Sequence, residues 1–223
     1  QNERLAIVGH VPGRIFHELR NARGVIDSSL YYLKMKLKNC DKKIDTHLGR
    51  IKSSVDTAAN IIQSMLNLTR MGKPEKTRND LVLIVEDVLN SINIPDDITI
   101  KKKYPKEKVP IHAERDQLCL AFKNIIKNAV EAMEGKGILT LKIQRVKENQ
   151  VEVAFKDTGG GIIPQNLKKI FQPLFSTKSQ GFGFGLSLSK IILDNHNCSI
   201  NVESTPGKGS TFIIGIPIYT RGI

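Results

Sequence analysis

Three short clusters in the second half of the chain carry groups able to hold a charged ligand. Asn124 and Asn128 stand one helical turn apart and away from the apolar stripe of their segment. An amide oxygen is a hard, neutral donor that can complete an octahedral Mg²⁺ shell shared with phosphates. Asp157-Thr158-Gly159-Gly160-Gly161-Ile162 directly follows a strand-patterned run. A carboxylate at a strand end can accept a hydrogen bond from an exocyclic ring amine, and glycines let the backbone approach that ring. Gly181-Phe182-Gly183-Phe184-Gly185-Leu186 opens a helix. Backbone N–H groups at alternate glycines, added to a helix N-terminus, suit a polyphosphate, and Lys178 and Lys190 can add charge.

Each cluster alone has a plainer reading. An Asn pair on a helix is most often solvated, and Asp followed by glycines is an ordinary Asx turn. The glycine run follows a loop and lacks the GxGxxG spacing of a dinucleotide fingerprint, and no Walker GK[ST] is present. Their joint occurrence in this order is what points to a nucleotide.

The elements that must position these clusters are legible from periodicity. Asp80 can cap a helix from Leu81 to about Ile92. Ile98-Thr99-Ile100 begins a strand running into Lys101-Lys102-Lys103. An amphipathic helix follows, with Leu118, Phe122, Ile125, Ile126, Ala129 and Met133 on one side. Leu139 to Val146 and Val151 to Phe155 alternate as strands around Glu148-Asn149-Gln150, and a helix is expected over Gly185 to Asn195. Ser199 to Glu203 and Ser210 to Ile216 flank a turn at Thr205-Pro206-Gly207. Strands with helices on one face make an α/β sandwich.

The first half is of another kind. Leu5, Val8, Ile15, Leu19, Ala22, Ile26 and Leu33 recur at spacings of three and four, with Pro12 in one slot. After Asn39-Cys40-Asp41, the run Ile44, Leu48, Ile51, Val55, Ala58, Ile62, Met65 does the same. This predicts a helical hairpin with a half-covered seam, closed by a second hairpin into a homodimeric four-helix bundle; packing of the hairpin on its own second domain is the plainer alternative. Pro12 should kink or loosen the first helix. Met71-Gly72-Lys73-Pro74 ends the pattern, giving a first domain over 1–72, a linker over 73–80 and a second domain over 81–223.

Composition removes several classes. The chain of 223 residues is 40% hydrophobic and 25% charged, which excludes disorder. Thirty-four Lys+Arg against 22 Asp+Glu leave a formal charge of +12, suited to polyanionic partners. No uncharged stretch, Gly209 to Thr220 included, is long enough to span a bilayer. No leader is recognisable, and a start at Gln1 reads as a piece of something longer. Cys40, Cys119 and Cys198 are unpaired in number and widely spaced, as in a reducing cytoplasm. The five histidines have no zinc-ligand spacing.

With these boxes in view, the chain resembles the GHKL ATPases and, among them, the sensor histidine kinases. Asn124-Ile125-Ile126-Lys127-Asn128-Ala129 is similar to an N box, Asp157 to Ile162 to a G1 box, Phe171-Gln172-Pro173-Leu174-Phe175 to an F box, and Gly181 to Leu186 to a G2 box. Phe16-His17-Glu18-Leu19-Arg20-Asn21 resembles the H box of a dimerisation and phosphotransfer domain. The resemblance implies a Bergerat α/β sandwich with an ATP lid over 163–185. It implies ATP contacts from Asn124, Lys127, Asn128, Asp157, Gly159, Gly161, Ile162, Thr177, Lys178, Gly181, Gly183, Gly185, Leu186 and Thr211, with Mg²⁺ on Asn128. The heptad phase agrees on His17, which falls at an outward f position if Leu5 is a. His10 shares that position without an acidic neighbour, and His47, His112 and His196 read as structural or incidental.

The activity so implied is an ATP-dependent histidine autokinase: His17 attacks the γ-phosphorus, Glu18 takes the imidazole proton, and the phosphoryl group passes to a response-regulator aspartate. Asn21 matches the position that orients water in regulator dephosphorylation, so phosphatase activity is expected with it. Family members often continue Asn-Pro-Leu, whereas Ala22-Arg23 follow here, and Phe182 and Phe184 replace the more usual Thr and Leu. A conformational GHKL ATPase would share the nucleotide boxes without needing His17-Glu18, and a degenerate scaffold would keep the fold without turnover. No nucleic-acid partner is expected, because Lys101 to Lys103 read as edge protection and aromatics are only 5%. The expected setting is cytoplasmic, with a sensor domain, and any membrane anchor, upstream.

Overall fold

The computed structural model describes residues 13–37, 42–70, 74–173, 175–177 and 183–218. Leu5, Val8, His10 and Pro12 therefore lie outside the described residues, as do Cys40, Lys178, Gly181 and Phe182. The chain divides into two compact units, one formed by Gln1–Gly72 with Thr177–Phe182 and the other by Lys73–Ser176 with Gly183–Ile223.

In the first unit α1 (Gly13–Lys36) and α2 (Lys42–Arg70) pack along one another as the expected hairpin. Leu30 and Leu48 are buried in it. Leu30 lies off the expected stripe, so the hairpin's own contact uses an adjacent line of side chains. The seam residues Ile26, Leu33, Ile44 and Ile51 remain exposed, together with Val25, Tyr31, Tyr32 and Met35. Two charge pairs cross the hairpin: Arg23 to Asp56 at 3.0 Å and Lys52 to Asp27 at 2.8 Å. Lys52 also meets Asp56 at 3.1 Å, and Arg23 meets Asp27 at 3.4 Å. The hydrogen bond from Lys52 holds the Asp27 carboxyl below its ordinary range.

The second unit opens on β1 (Thr77–Asp80), in the segment expected as linker, where Thr77–Asp80 pairs antiparallel with β3 (Pro110–Ala113). Charged, short and only half-buried, β1 carries no apolar alternation, which is why the pattern hides it. Asp80 caps α3 (Leu81–Asn90) as expected, its Oδ1 accepting from Val82 N at 3.1 Å and also from Val109 N at 3.3 Å. Leu81, Ile84, Val85, Val88 and Leu89 form the buried face of that helix.

The main sheet has five strands in the order β2 (Ile98–Lys103), β4 (Gly137–Lys147), β5 (Gln150–Lys156), β7 (Gly209–Pro217), β6 (Ser199–Thr205). β2 runs parallel to β4 and the other pairs are antiparallel. Leu139, Leu141, Val153, Phe155, Phe212 and Ile214 turn to the buried face. There they meet the apolar side of α4 (Arg115–Ala132), where Phe122 and Phe155 tilt against each other with centroids 5.4 Å apart. A single turn, α5 (Pro164–Leu167), precedes α6 (Gly185–Asn195), which packs beside α4. The α/β sandwich expected for the second half is thus present. Among the described residues, no helix is long and apolar enough to cross a membrane.

Candidate nucleotide site

The strand-end carboxylate is fixed by backbone on two sides. Asp157, with 1% exposure, accepts at Oδ1 from Gly159 N at 2.8 Å and from Ser210 N at 3.2 Å. Its own N–H donates to Ser210 O at 2.9 Å, so the end of β5 is clamped to β7. Two N–H donors on one oxygen set the plane of the carboxylate.

The glycines after Asp157 have steric reasons. A Cβ on Gly159 would stand 2.4 Å from Ala132 O at the end of α4, and the next residue, Gly160, donates to that same carbonyl at 3.1 Å. Gly161 has φ +70°, and a Cβ there would stand 2.2 Å from Thr205 O. Ile162 N donates to Ser204 Oγ at 2.8 Å, which completes the docking of this loop on the β6–β7 turn.

The second glycine run meets α4 from its other side. Asn124 Nδ2 donates to Gly185 O at 3.2 Å, and Ser189 Oγ donates to Ala121 O at 3.1 Å, so the first turn of α6 is tied to the middle of α4. Gly183, with φ +66°, passes so close to Phe175 that a Cβ would come within 2.3 Å of its carbonyl oxygen. Asn124, Asn128, Asp157, Gly159, Gly161, Ile162, Gly183, Gly185 and Leu186 thus belong to one assembly organised around α4. Lys127 is exposed on α4, and Thr177 is exposed after the Phe175 segment. Nothing ties either of them into the assembly.

One expected contact residue is placed differently. Thr211 pairs with Lys156 and Glu203, and strand alternation turns it to the outer face of the sheet. The residue that holds Asp157 is its neighbour, the buried Ser210, backed by Ser204 at 2.9 Å. The turn that separates Ser204 from Ser210 was readable. That the inward phase falls on Ser210 follows from the buried Phe212 two residues on, and this was the signal available.

Asn128 is half-buried and has no hydrogen-bond partner among the described residues. No group of three His, Cys, Asp or Glu among the described residues could hold a metal ion. An amide oxygen with no carboxylate cage fits Mg²⁺, which keeps most of its positions for phosphate and water. In the first unit, His17 and Glu18 lie within α1, and their side chains fall outside the described residues; Asn21, one turn on, is exposed. The other histidine with a defined environment is structural: buried His196 accepts from Glu114 N at Nε2, 3.0 Å away, and its Nδ1 lies 2.8 Å from Ile192 O. Burial pushes its pKa down.

Residues 113–220 match the family described as histidine kinase-, DNA gyrase B-, and HSP90-like ATPase. The chain is 30% identical over 225 residues to the signal transduction histidine-protein kinase AtoS of Escherichia coli (strain K12), covering 100% of this chain and 37% of that protein. It is 31% identical over 227 residues to sporulation kinase A of Bacillus subtilis (strain 168), covering 97% and 36% respectively. The chain therefore spans about a third of the length of these relatives. Among solved structures, histidine kinase ThkA in complex with response regulator protein TrrA superposes with a TM-score of 0.67 at 25% identity, over 98% of this chain and 64% of that one.

Proposed function

We propose that the chain, which is similar to sensor histidine kinases along its length, is the phosphotransfer and ATP-binding portion of a two-component autokinase, with His17 as phosphoacceptor and a response-regulator aspartate as the next acceptor. The observation that carries the nucleotide half of this reading is the clamp on Asp157. A buried carboxylate fixed at one oxygen by Gly159 and Ser210 stands beside Gly159 and Gly161, neither of which has room for a side chain. That arrangement is suited to reading the exocyclic amine of adenine.

In the reaction, Asp157 binds adenine, and the backbone around Gly183 and Gly185 at the start of α6 receives the phosphates. Asn128 would hold Mg²⁺, which supplies charge neutralisation to the phosphates when bound. Asn124 stays committed to Gly185 through its amide nitrogen, which orients its carbonyl oxygen. The lone pair of His17 Nε2 forms the N–P bond as the bond from the γ-phosphorus to the ADP oxygen breaks. Glu18 takes the proton from Nδ1. The resulting phosphoramidate then passes its phosphoryl group to the regulator's aspartate.

The hairpin supports a homodimer. Ile26, Leu33, Ile44 and Ile51 are apolar, at seam spacing and exposed in the single chain, and a second hairpin laid on them would complete a four-helix bundle. Asn21, exposed one turn beyond His17, favours a regulator phosphatase as a second activity of the same face. A need for ATP and a receiver partner favours a cytoplasmic setting, downstream of a sensor domain in the parent protein.

The test is incubation with γ-labelled ATP and Mg²⁺, alongside His17→Gln and Asn128→Ala. The reading predicts acid-labile, base-stable label on the wild type and none on either variant. ATP hydrolysis with no protein-bound label would contradict it in favour of a conformational ATPase.

A further inference from the structure

The outer face of the five-stranded sheet, away from α4 and from the nucleotide assembly, carries a cluster of lysines with no role in the reaction above. Register fixes who shares that face. Lys103 pairs with Lys142, Lys101 pairs with Thr140, and Thr140 pairs on its other side with Lys156. Lys101, Lys103, Lys142 and Lys156 are all exposed, and none has an ion-pair partner among the described residues. Adjacent strands lie about 4.8 Å apart. Lys142 therefore stands within about one Debye length of Lys101 and Lys103 at physiological salt, and Lys156, two strands from Lys101, extends the same positive patch.

This arrangement is not what the fold needs. Lysines on β2 protect an edge strand, but β4 and β5 are inner strands, and Lys142 and Lys156 protect nothing there. Like charges opposed across strands, as at Lys103 and Lys142, lower sheet stability. The nearest carboxylate along β5, Glu152, already accepts from Gln144 at 3.3 Å, and Glu203 stands beyond Thr211 on the far edge.

We propose that this face is a docking surface for an acidic, extended polypeptide segment with Asp or Glu at alternate positions. Lys101 and Lys103 repeat along one strand at about 6.8 Å, the interval at which an extended chain repeats side chains on one side. The apolar neighbours Ile138, Ala154 and Ile213 are half-buried, so they lend flat contact without the projecting anchors a bilayer requires. Phe155 and Phe212 both turn inward, so among the described residues these strands offer no stacking platform for single-stranded nucleic acid beside the lysines.

The test uses the full chain and a fluorescent decapeptide alternating Glu and Ser. Controls are a decapeptide of equal composition with its Glu residues in one block, phosphatidylserine vesicles, and an oligothymidylate. The proposal predicts salt-sensitive binding, tightest for the alternating peptide. Lys103→Glu with Lys142→Glu should weaken it by at least about tenfold, and the corresponding pair of Gln substitutions should have an intermediate effect. ATP affinity, unchanged in these variants, reports that the sandwich remains folded. Equal binding by both peptides, undiminished binding in the Glu double variant, or patch-dependent binding that is tighter to vesicles or oligothymidylate would overturn the assignment.

Discussion

Asn124 Nδ2 donates to the carbonyl of Gly185 at 3.2 Å, joining the middle of α4 to the first turn of α6. On the proposed reading, the phosphate end of the nucleotide site is then held by a side chain from the helix that also carries Asn128. Asn124→Ala removes that tie, while Ser189 Oγ still donates to the Gly185 carbonyl at 3.0 Å. ATP affinity should fall about tenfold, consistent with the loss of one part-buried hydrogen bond and its positioning effect, while the melting temperature changes by a few degrees at most. Titration with a fluorescent ATP analogue, with calorimetry of the same variant, checks both.

The glycines of the Asp157 loop and of the β6–β7 turn on which it docks differ in kind, and the difference is measurable. Gly161 combines φ +70° with a Cβ position 2.2 Å from Thr205 O, whereas Gly207 has φ +75° and open space around it. Gly207→Ala should cost about 1 kcal/mol, the strain of a left-handed alanine alone. Gly161→Ala must in addition displace the β6–β7 turn, and should cost at least about 2 kcal/mol and abolish nucleotide binding. Urea denaturation of the two variants would separate strain from collision.

His196 makes stability depend on pH in a definite direction. It accepts from Glu114 at Nε2, so the ring is neutral with its proton on Nδ1, facing Ile192 O. Burial lowers its folded pKa below the ordinary 6.5. The unfolded chain therefore binds the proton first, and stability that is whole above pH 6.5 is lost as the pH falls from there through the folded value. His196→Gln should be less stable than wild type at neutral pH, and its melting temperature should fall less between neutral and mildly acidic solution. Equal pH dependence in the two proteins would contradict the assignment.

Ser210, not Thr211, supports Asp157, and this makes a pair of opposed expectations. Thr211→Ala should leave ATP affinity within about twofold of wild type, since its side chain lies on the other face of β7. Asp157→Asn, which replaces a double N–H acceptor by an amide, should reduce ATP affinity by two orders of magnitude or more, about 3 kcal/mol. Equilibrium binding on the two variants decides the point.

What could be read from the sequence was whatever has a strong period or a sharp punctuation. Asp80 as cap, the stripe from Leu118 to Met133 and the start of α6 at Gly185 all follow from local rules. β1 could not be read that way, because Thr77–Asp80 owes its structure to pairing with Pro110–Ala113, far along the chain, and not to any apolar alternation of its own. The docking of Gly159 and Gly160 on the end of α4 is equally invisible locally; only the presence of the glycines was. Thr211 stands one residue from the inward Ser210, and a one-step change of phase exchanges the two faces of a strand. Leu30 joined the hairpin core for a related reason: a pair of helices can use a line of side chains adjacent to the one the spacing favours.

The central claim is that His17 receives the γ-phosphoryl group, and site mapping of the phosphorylated chain tests it most directly. After incubation with ATP and Mg²⁺, digestion and mass spectrometry at neutral pH should find one added phosphoryl group on the peptide containing His17, and none when Asp157 is replaced by Asn. Phosphorylation found on His10 instead, or an unmodified His17 peptide from protein that binds and consumes ATP, would contradict it.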